Sequence, residues 1–106
     1  MNDPLLQPFD LAGLHLRNRI FSSSHSPGYN VDGTPSDRYV RYHEEKARGG
    51  IGLTMIGGSS NVSVDSASLW GQLNFATDAV VDPLAAMAER AVTVANLGEG
   101  PRVGEA

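Results

Sequence analysis

Asn18-Arg19-Ile20-Phe21-Ser22-Ser23-Ser24-His25-Ser26, then Asp32-Gly33-Thr34-Pro35, then Ala47-Arg48-Gly49-Gly50-Ile51-Gly52-Leu53, are the stretches that decide how this chain folds. Ile20 and Phe21 form a short apolar run that the serine cluster and Pro27-Gly28 interrupt, so a first strand ends near Ser22 and residues 23 to 33 form a loop. Thr34 carries the side chain of a helix N-cap, Pro35 suits the first helical position, and Asp37 stands where a carboxylate can answer the cap. Val40, His43 and Ala47 repeat at helical spacing, and Asp37 with Arg41 and Arg41 with Glu45 are opposite charges four residues apart. Gly49-Gly50 supplies a left-handed stop. Ile51 to Ile56 is nearly all apolar, as expected of a parallel strand covered on both faces. Strand, loop, helix and strand in this order make a β-α-β unit.

Toward the N-terminus, Leu5 to Leu11 and Leu14 to Arg17 flank the turn-compatible pair Ala12-Gly13, which predicts a hairpin. Toward the C-terminus, residues 57 to 81 are rich in Gly, Ser and Asn around a single Trp, far longer than the usual 2 to 6 residues between a strand and the next helix. Asp82 as cap and Pro83 as first residue then open a second helix, in which Leu84, Met87, Ala88, Ala91, Val92 and Ala95 keep one apolar face. That helix is expected to end between Asn96 and Gly98. Residues 99 to 106 hold two glycines, a proline and no periodic pattern, and read as a frayed tail.

Composition narrows the function classes. The 106 residues suffice for one domain with a modest core. Eight basic and 12 acidic residues give a net charge of −4, with the basic side chains scattered, so a nucleic-acid backbone is not an expected partner. The absence of cysteine excludes disulfides, thiolate metal sites and cysteine nucleophiles within these residues. No metal site is expected. No leader pattern follows Met1 and no apolar run approaches 18 residues, so a soluble, cytoplasmic protein is the default expectation, without membrane contact. The Gly-Gly-Ile-Gly cluster at 49 to 52 closes a helix instead of opening one, which rejects a dinucleotide fingerprint. Glu44-Glu45 reads as a solvated helix face, and His15 and His43 as structural.

Asp-Gly-Thr-Pro at 32 to 35 and Ala-Arg-Gly-Gly at 47 to 50, together with the serine-rich segment after the first strand, resemble the opening of the old yellow enzyme family, the NADH:flavin oxidoreductases. The resemblance runs from residue 5 to residue 90. It implies an α/β fold consisting of an N-terminal β-hairpin and the first two βα units of a TIM (β/α)8 barrel, incomplete because such a barrel needs roughly 250 residues. It divides the chain into residues 1–90, the N-terminal part of an FMN-dependent TIM-barrel oxidoreductase domain, and residues 91–106, a helix end and tail unlike the family.

The same resemblance implies FMN as cofactor. Ser23, Ser24, His25 and Ser26 occupy its FMN-contacting positions, with Ser24 where proline is common, and Gly58 matches a small-residue position that touches the ring. In the branch resembling trimethylamine dehydrogenase a His-Cys pair bonds covalently to the flavin. The matching pair here is His25-Ser26, and serine forms no thioether, so the flavin is expected to be held non-covalently. This leans toward relatives of N-methylproline demethylase. Implied substrates are a methylated amine or amino acid, or an enone-type compound, with NAD(P)H. Tyr29 and Trp70 sit on loops of the same end, where they could line a pocket for a methylated amine or pack as a lid.

On the residues alone, a serine cluster is also ordinary loop punctuation, His25 also a hydrogen-bonding surface histidine, and Gly58 also a plain turn glycine. No residue is assigned a catalytic role. The family's later strands and phosphate-holding loops have no counterpart here, as a truncated or frameshifted reading frame would explain, so the chain alone is expected to be marginally stable and without turnover. The alternative is a non-catalytic binding module, or a partial barrel completed by self-assembly.

Overall fold

The computed structural model describes residues 3 to 66 and 70 to 97. A 3-10 turn at Pro4–Leu6 leads into an antiparallel hairpin of β1 (Phe9–Leu11) and β2 (Leu14–Leu16), with Phe9 opposite Leu16 and Leu11 opposite Leu14. Ala12 and Gly13 both have positive φ, 50° and 94°, the geometry that a two-residue hairpin turn requires. β3 (Phe21–Ser22) then pairs in parallel with β4 (Leu53–Thr54), and α1 (Asp37–Arg48) is the crossover between them. α2 (Val81–Ala95) follows a long connection and packs on α1. The architecture is thus mixed α/β, with two two-stranded sheets and two long helices among the described residues.

Several boundaries differ from the sequence expectation. Ser36, not Thr34, caps α1, and its Oγ accepts from the Tyr39 amide at 3.2 Å. The Thr34 hydroxyl is already used: it donates to the Val31 carbonyl at 3.0 Å and closes a tight turn through Asp32 and Gly33, whose φ values are 52° and 76°. Asp37 therefore becomes the first helical residue, where it pairs with Arg41 at 3.0 Å. The expected partner of Arg41, Glu45, pairs with Arg48 instead. Gly49 ends α1 in helical geometry and Gly50 takes the left-handed turn at φ 100°. β4 is shorter than Ile51 to Ile56, because β3 offers only two residues for it to pair with.

α2 begins at Val81, running straight out of a 3-10 turn at Asp78–Val80 without a side-chain cap. Asp82 is not the cap. Pro83 lies inside the first turn, where its missing N–H costs nothing. The helix ends at Ala95, in agreement with the predicted stop; the proposed frayed tail lies outside the described residues.

The core sits between the helices and the second long loop. Tyr39, Val40, Leu73, Val80 and Met87 are buried together, with Tyr29, Tyr42, Phe75 and Leu84 packed around them. Glu44 corrects the expectation of a solvated pair: it is buried and accepts from Arg90 Nε at 2.6 Å, which ties α1 to α2. Arg17 gathers three chain ends. It donates to the carbonyls of Ala47 at 2.8 Å, Ile51 at 3.1 Å and Ala95 at 3.1 Å, which ties the last turns of α1 and α2 to the segment before β4. On the other flank of α2, Ala88, Ala91, Val92 and Ala95 face Ile51, Leu53 and Ile56 across an apolar cleft of about 290 Å3 beside β4.

Candidate functional site

β3 and β4 are parallel, so their C-terminal ends release two loops on the same side, Ser23 onward and Met55 onward. Met55 still donates to the Ser22 carbonyl at 3.1 Å, which keeps the two exits together. Gly57 and Gly58 follow with φ of 97° and 95°, a conformation that side chains other than glycine adopt at a cost. Gly57 is anchored to the core, its N–H donating to Tyr39 Oη at 3.0 Å. Gly58 lies against the other loop: a Cβ on it would stand 2.8 Å from the Ser26 amide nitrogen and 3.0 Å from the His25 carbonyl carbon. No side chain fits there without displacing backbone.

The imidazole of His25 contacts α1. Its Nδ1 lies 3.0 Å from Tyr42 Oη on α1. Lys46, one turn further along α1, stacks its Nζ 4.3 Å from the centre of the Tyr42 ring and donates to Ser22 Oγ at 2.8 Å. Ser22 in turn donates to the Ser23 carbonyl at 3.3 Å. Ser22, Lys46, Tyr42 and His25 thus form a chain of contacts that fixes the first loop from behind. Of the residues singled out from sequence, His25, Ser26 and Gly58 meet directly. Ser23 and Ser24 form the exposed run that leads into them. Tyr42 and Lys46 were not anticipated, although their i,i+4 spacing on a predicted helix was the available signal.

Chemically, this is a place where the backbones of two loops meet with no side chain between them. Peptide N–H and C=O groups beside glycine and serine can approach a flat polar ring closely. Burial raises the Tyr39 phenol above its ordinary range, and burial with the nearby Lys46 charge lowers the His43 imidazole to about 4. His43 behaves as the structural residue expected, with Nδ1 3.2 Å from Thr54 Oγ1. Among the described residues no group of three or more His, Cys, Asp or Glu could hold a metal ion, and no helix is long and apolar enough to cross a membrane.

No protein-family model matches the chain. Individual proteins do. It is 53% identical over 89 residues to a multifunctional alkene reductase/demethylase OYE of Caballeronia cordobensis, covering 84% of this chain and 13% of that protein. It is 49% identical over 80 residues to a probable N-methylproline demethylase of Rhizobium meliloti, covering 76% and 12% respectively. An N,N-dimethylglycine/sarcosine dehydrogenase of Chromohalobacter salexigens is 43% identical over 81 residues, 74% of this chain and 12% of its own length. The chain therefore spans about an eighth of the length of the curated relatives it matches.

Proposed function

Since the chain shares its family with old yellow enzyme reductases and N-methylproline demethylases, we propose that it forms one part of an FMN-dependent oxidoreductase, the part whose strand ends face the flavin. In this reading β3 and β4 are the first two strands of a TIM barrel, whose sites lie at the C-terminal ends of its strands. The observation that carries the proposal is the close approach of Gly58 to the His25–Ser26 backbone at those ends, which no side chain at position 58 could share. Small residues and free backbone groups suit the edge of an isoalloxazine, so the residues present fit that part of the cofactor. Ser23, Ser24, His25, Ser26 and Gly58 would contact it, held non-covalently because no cysteine is present. Bound FMN supplies hydride transfer. This chain's own residues supply position: Tyr42 and Lys46 hold the His25 loop in place, and Tyr39 holds the exit of β4.

The proposed substrates of the complete enzyme are a methylated amine or amino acid, or an enone-type compound reduced with NAD(P)H. Coverage of about an eighth of each relative fits a chain that carries one portion of such an enzyme. The portion lies in residues 1–90 in this proposal, with 91–106 outside the family match. Assayed alone with FMN and NAD(P)H, the chain is expected to show no turnover above free flavin. Saturable NAD(P)H oxidation by the chain alone would overturn the partial-enzyme reading.

One observation favours a second reading, in which the chain acts by assembling with other polypeptide. The apolar cleft between α2 and β4 borders a strand edge that has no neighbour among the described residues, a surface that a further strand or a copy of the chain could cover. Light scattering that finds a discrete oligomer with no flavin binding would support it.

A further inference from the structure

The apolar cleft between α2 and β4 is bordered by one buried polar side chain that is only half satisfied. His43 of α1 lines it together with Thr54 of β4, and His43 is only 2% exposed. Its Nδ1 lies 3.2 Å from Thr54 Oγ1, while Nε2 is buried with no hydrogen-bond partner among the described residues. A buried nitrogen in that state carries a desolvation cost that nothing offsets. The other walls are hydrocarbon: Leu53 and Ile56 from β4 and its exit, and Leu84, Met87, Ala91 and Val92 from α2. Arg17 is the one charged side chain among the lining residues, and its guanidinium already donates to the carbonyls of Ala47, Ile51 and Ala95. At about 290 Å3 the cleft has nearly twice the roughly 150 Å3 in which a dry apolar cavity takes up one benzene ring.

We propose that this cleft binds a small neutral arene of two fused rings bearing one hydroxyl, of the naphthol class, with that hydroxyl on His43 Nε2. Burial of the rings against the apolar walls supplies the affinity. The hydroxyl fixes the orientation. Thr54 can donate to Nδ1 or accept from it, so Nε2 is left as donor or as acceptor, and a hydroxyl answers either. Burial first, and the Lys46 charge second, lower the imidazole to about 4, so His43 is neutral at pH 7 and offers an anionic ligand no charge. Neither Gly58 nor residues 23 to 26 line the cleft, so the site stands apart from the proposed flavin contacts.

Equilibrium dialysis of the chain against 2-naphthol at pH 7 is expected to give saturable binding of one molecule per chain. Naphthalene, which keeps the rings and lacks the hydroxyl, should bind about tenfold more weakly, the loss of one hydrogen bond. His43→Leu should lower 2-naphthol binding about tenfold and leave naphthalene within about twofold, so that the two ligands become equal. Ala91→Phe fills the α2 wall and should abolish binding of both. Ala91 lies at the partly exposed surface of α2, and helical circular dichroism verifies that each variant stays folded. Unsaturable uptake of 2-naphthol, equal affinity for the two ligands in the wild-type chain, or unchanged binding in folded Ala91→Phe would overturn the proposal. So would binding that weakens as the chain self-associates, because a second copy would then be the occupant of the cleft.

Discussion

The amide of Gly57 donates to the phenol oxygen of Tyr39 at 3.0 Å, and Tyr39 is wholly buried at the centre of the core. One hydrogen bond therefore couples the packing of α1 to the point where β4 runs out toward Gly58. Tyr39→Phe keeps the ring but leaves a buried N–H unpaired, so it should destabilise the chain by about 1–3 kcal/mol. Urea denaturation checks this. Amide exchange at Gly57 should rise more than exchange within α1.

Gly58 and Gly50 make a matched pair, with φ of 95° and 100°. A Cβ on Gly50 meets nothing within 4 Å, whereas one on Gly58 collides with the backbone of His25 and Ser26. Gly50→Ala should cost only the conformational penalty, on the order of 1 kcal/mol. Gly58→Ala should cost about 1–3 kcal/mol more, because backbone has to move. Amide chemical shifts at His25 and Ser26 should change in the second variant and stay fixed in the first.

Arg17 holds the ends of α1 and α2 and the start of β4 through its guanidinium. Arg17→Met retains the apolar stem and removes every one of those donors. It should lower stability by at least about 2 kcal/mol, since hydrogen bonds from a charged donor are worth about 1.5–3 kcal/mol each. Arg17→Lys should recover only part, because one ammonium cannot reproduce the fork.

His43 links stability to pH. Burial first, and the Lys46 charge second, lower its imidazole to about 4 in the fold, against 6.5 in an unfolded chain. Between these values the unfolded state binds the extra proton, so stability rises with pH across the window. The contribution is complete above about pH 6.5 and shrinks as the pH falls toward 4, by up to about 3 kcal/mol. Thermal melts of the wild-type chain at pH 7 and pH 5 should differ more than those of His43→Leu. Equal pH dependence in both would show that another group is responsible.

Local signals in the sequence marked the elements well where one residue type had one job. Ala12-Gly13 marked the hairpin, Gly49-Gly50 the end of α1, and the apolar repeat from Leu84 to Ala95 the body of α2 though not its first turn. They misled where two neighbours competed for one job. Thr34 and Ser36 are both good caps, and the turn at Asp32-Gly33 consumed the first. Glu44 resembled Glu45 in sequence, but only Glu44 faces Arg90 across the helix pair. Contacts over long separations were not legible. Arg17 with Ala95 and Gly58 with Ser26 depend on where loops return, which periodicity does not encode. Residue types did direct attention to His25, Ser26 and Gly58 before their meeting was visible. Nothing local indicated that Tyr42 would meet the imidazole of His25.

An exchange experiment decides whether the ends of β3 and β4 face a flavin. Residues 5 to 90 would replace the matching segment of a full-length old yellow enzyme relative, with Gly58 either kept or changed to Val. Flavin absorbance per folded protein would then be measured after gel filtration. A yellow, FMN-loaded chimaera is expected with glycine and a folded chimaera depleted of FMN with valine. Equal FMN in both folded proteins would contradict it, and would remove Gly58 and the His25–Ser26 backbone from the cofactor site.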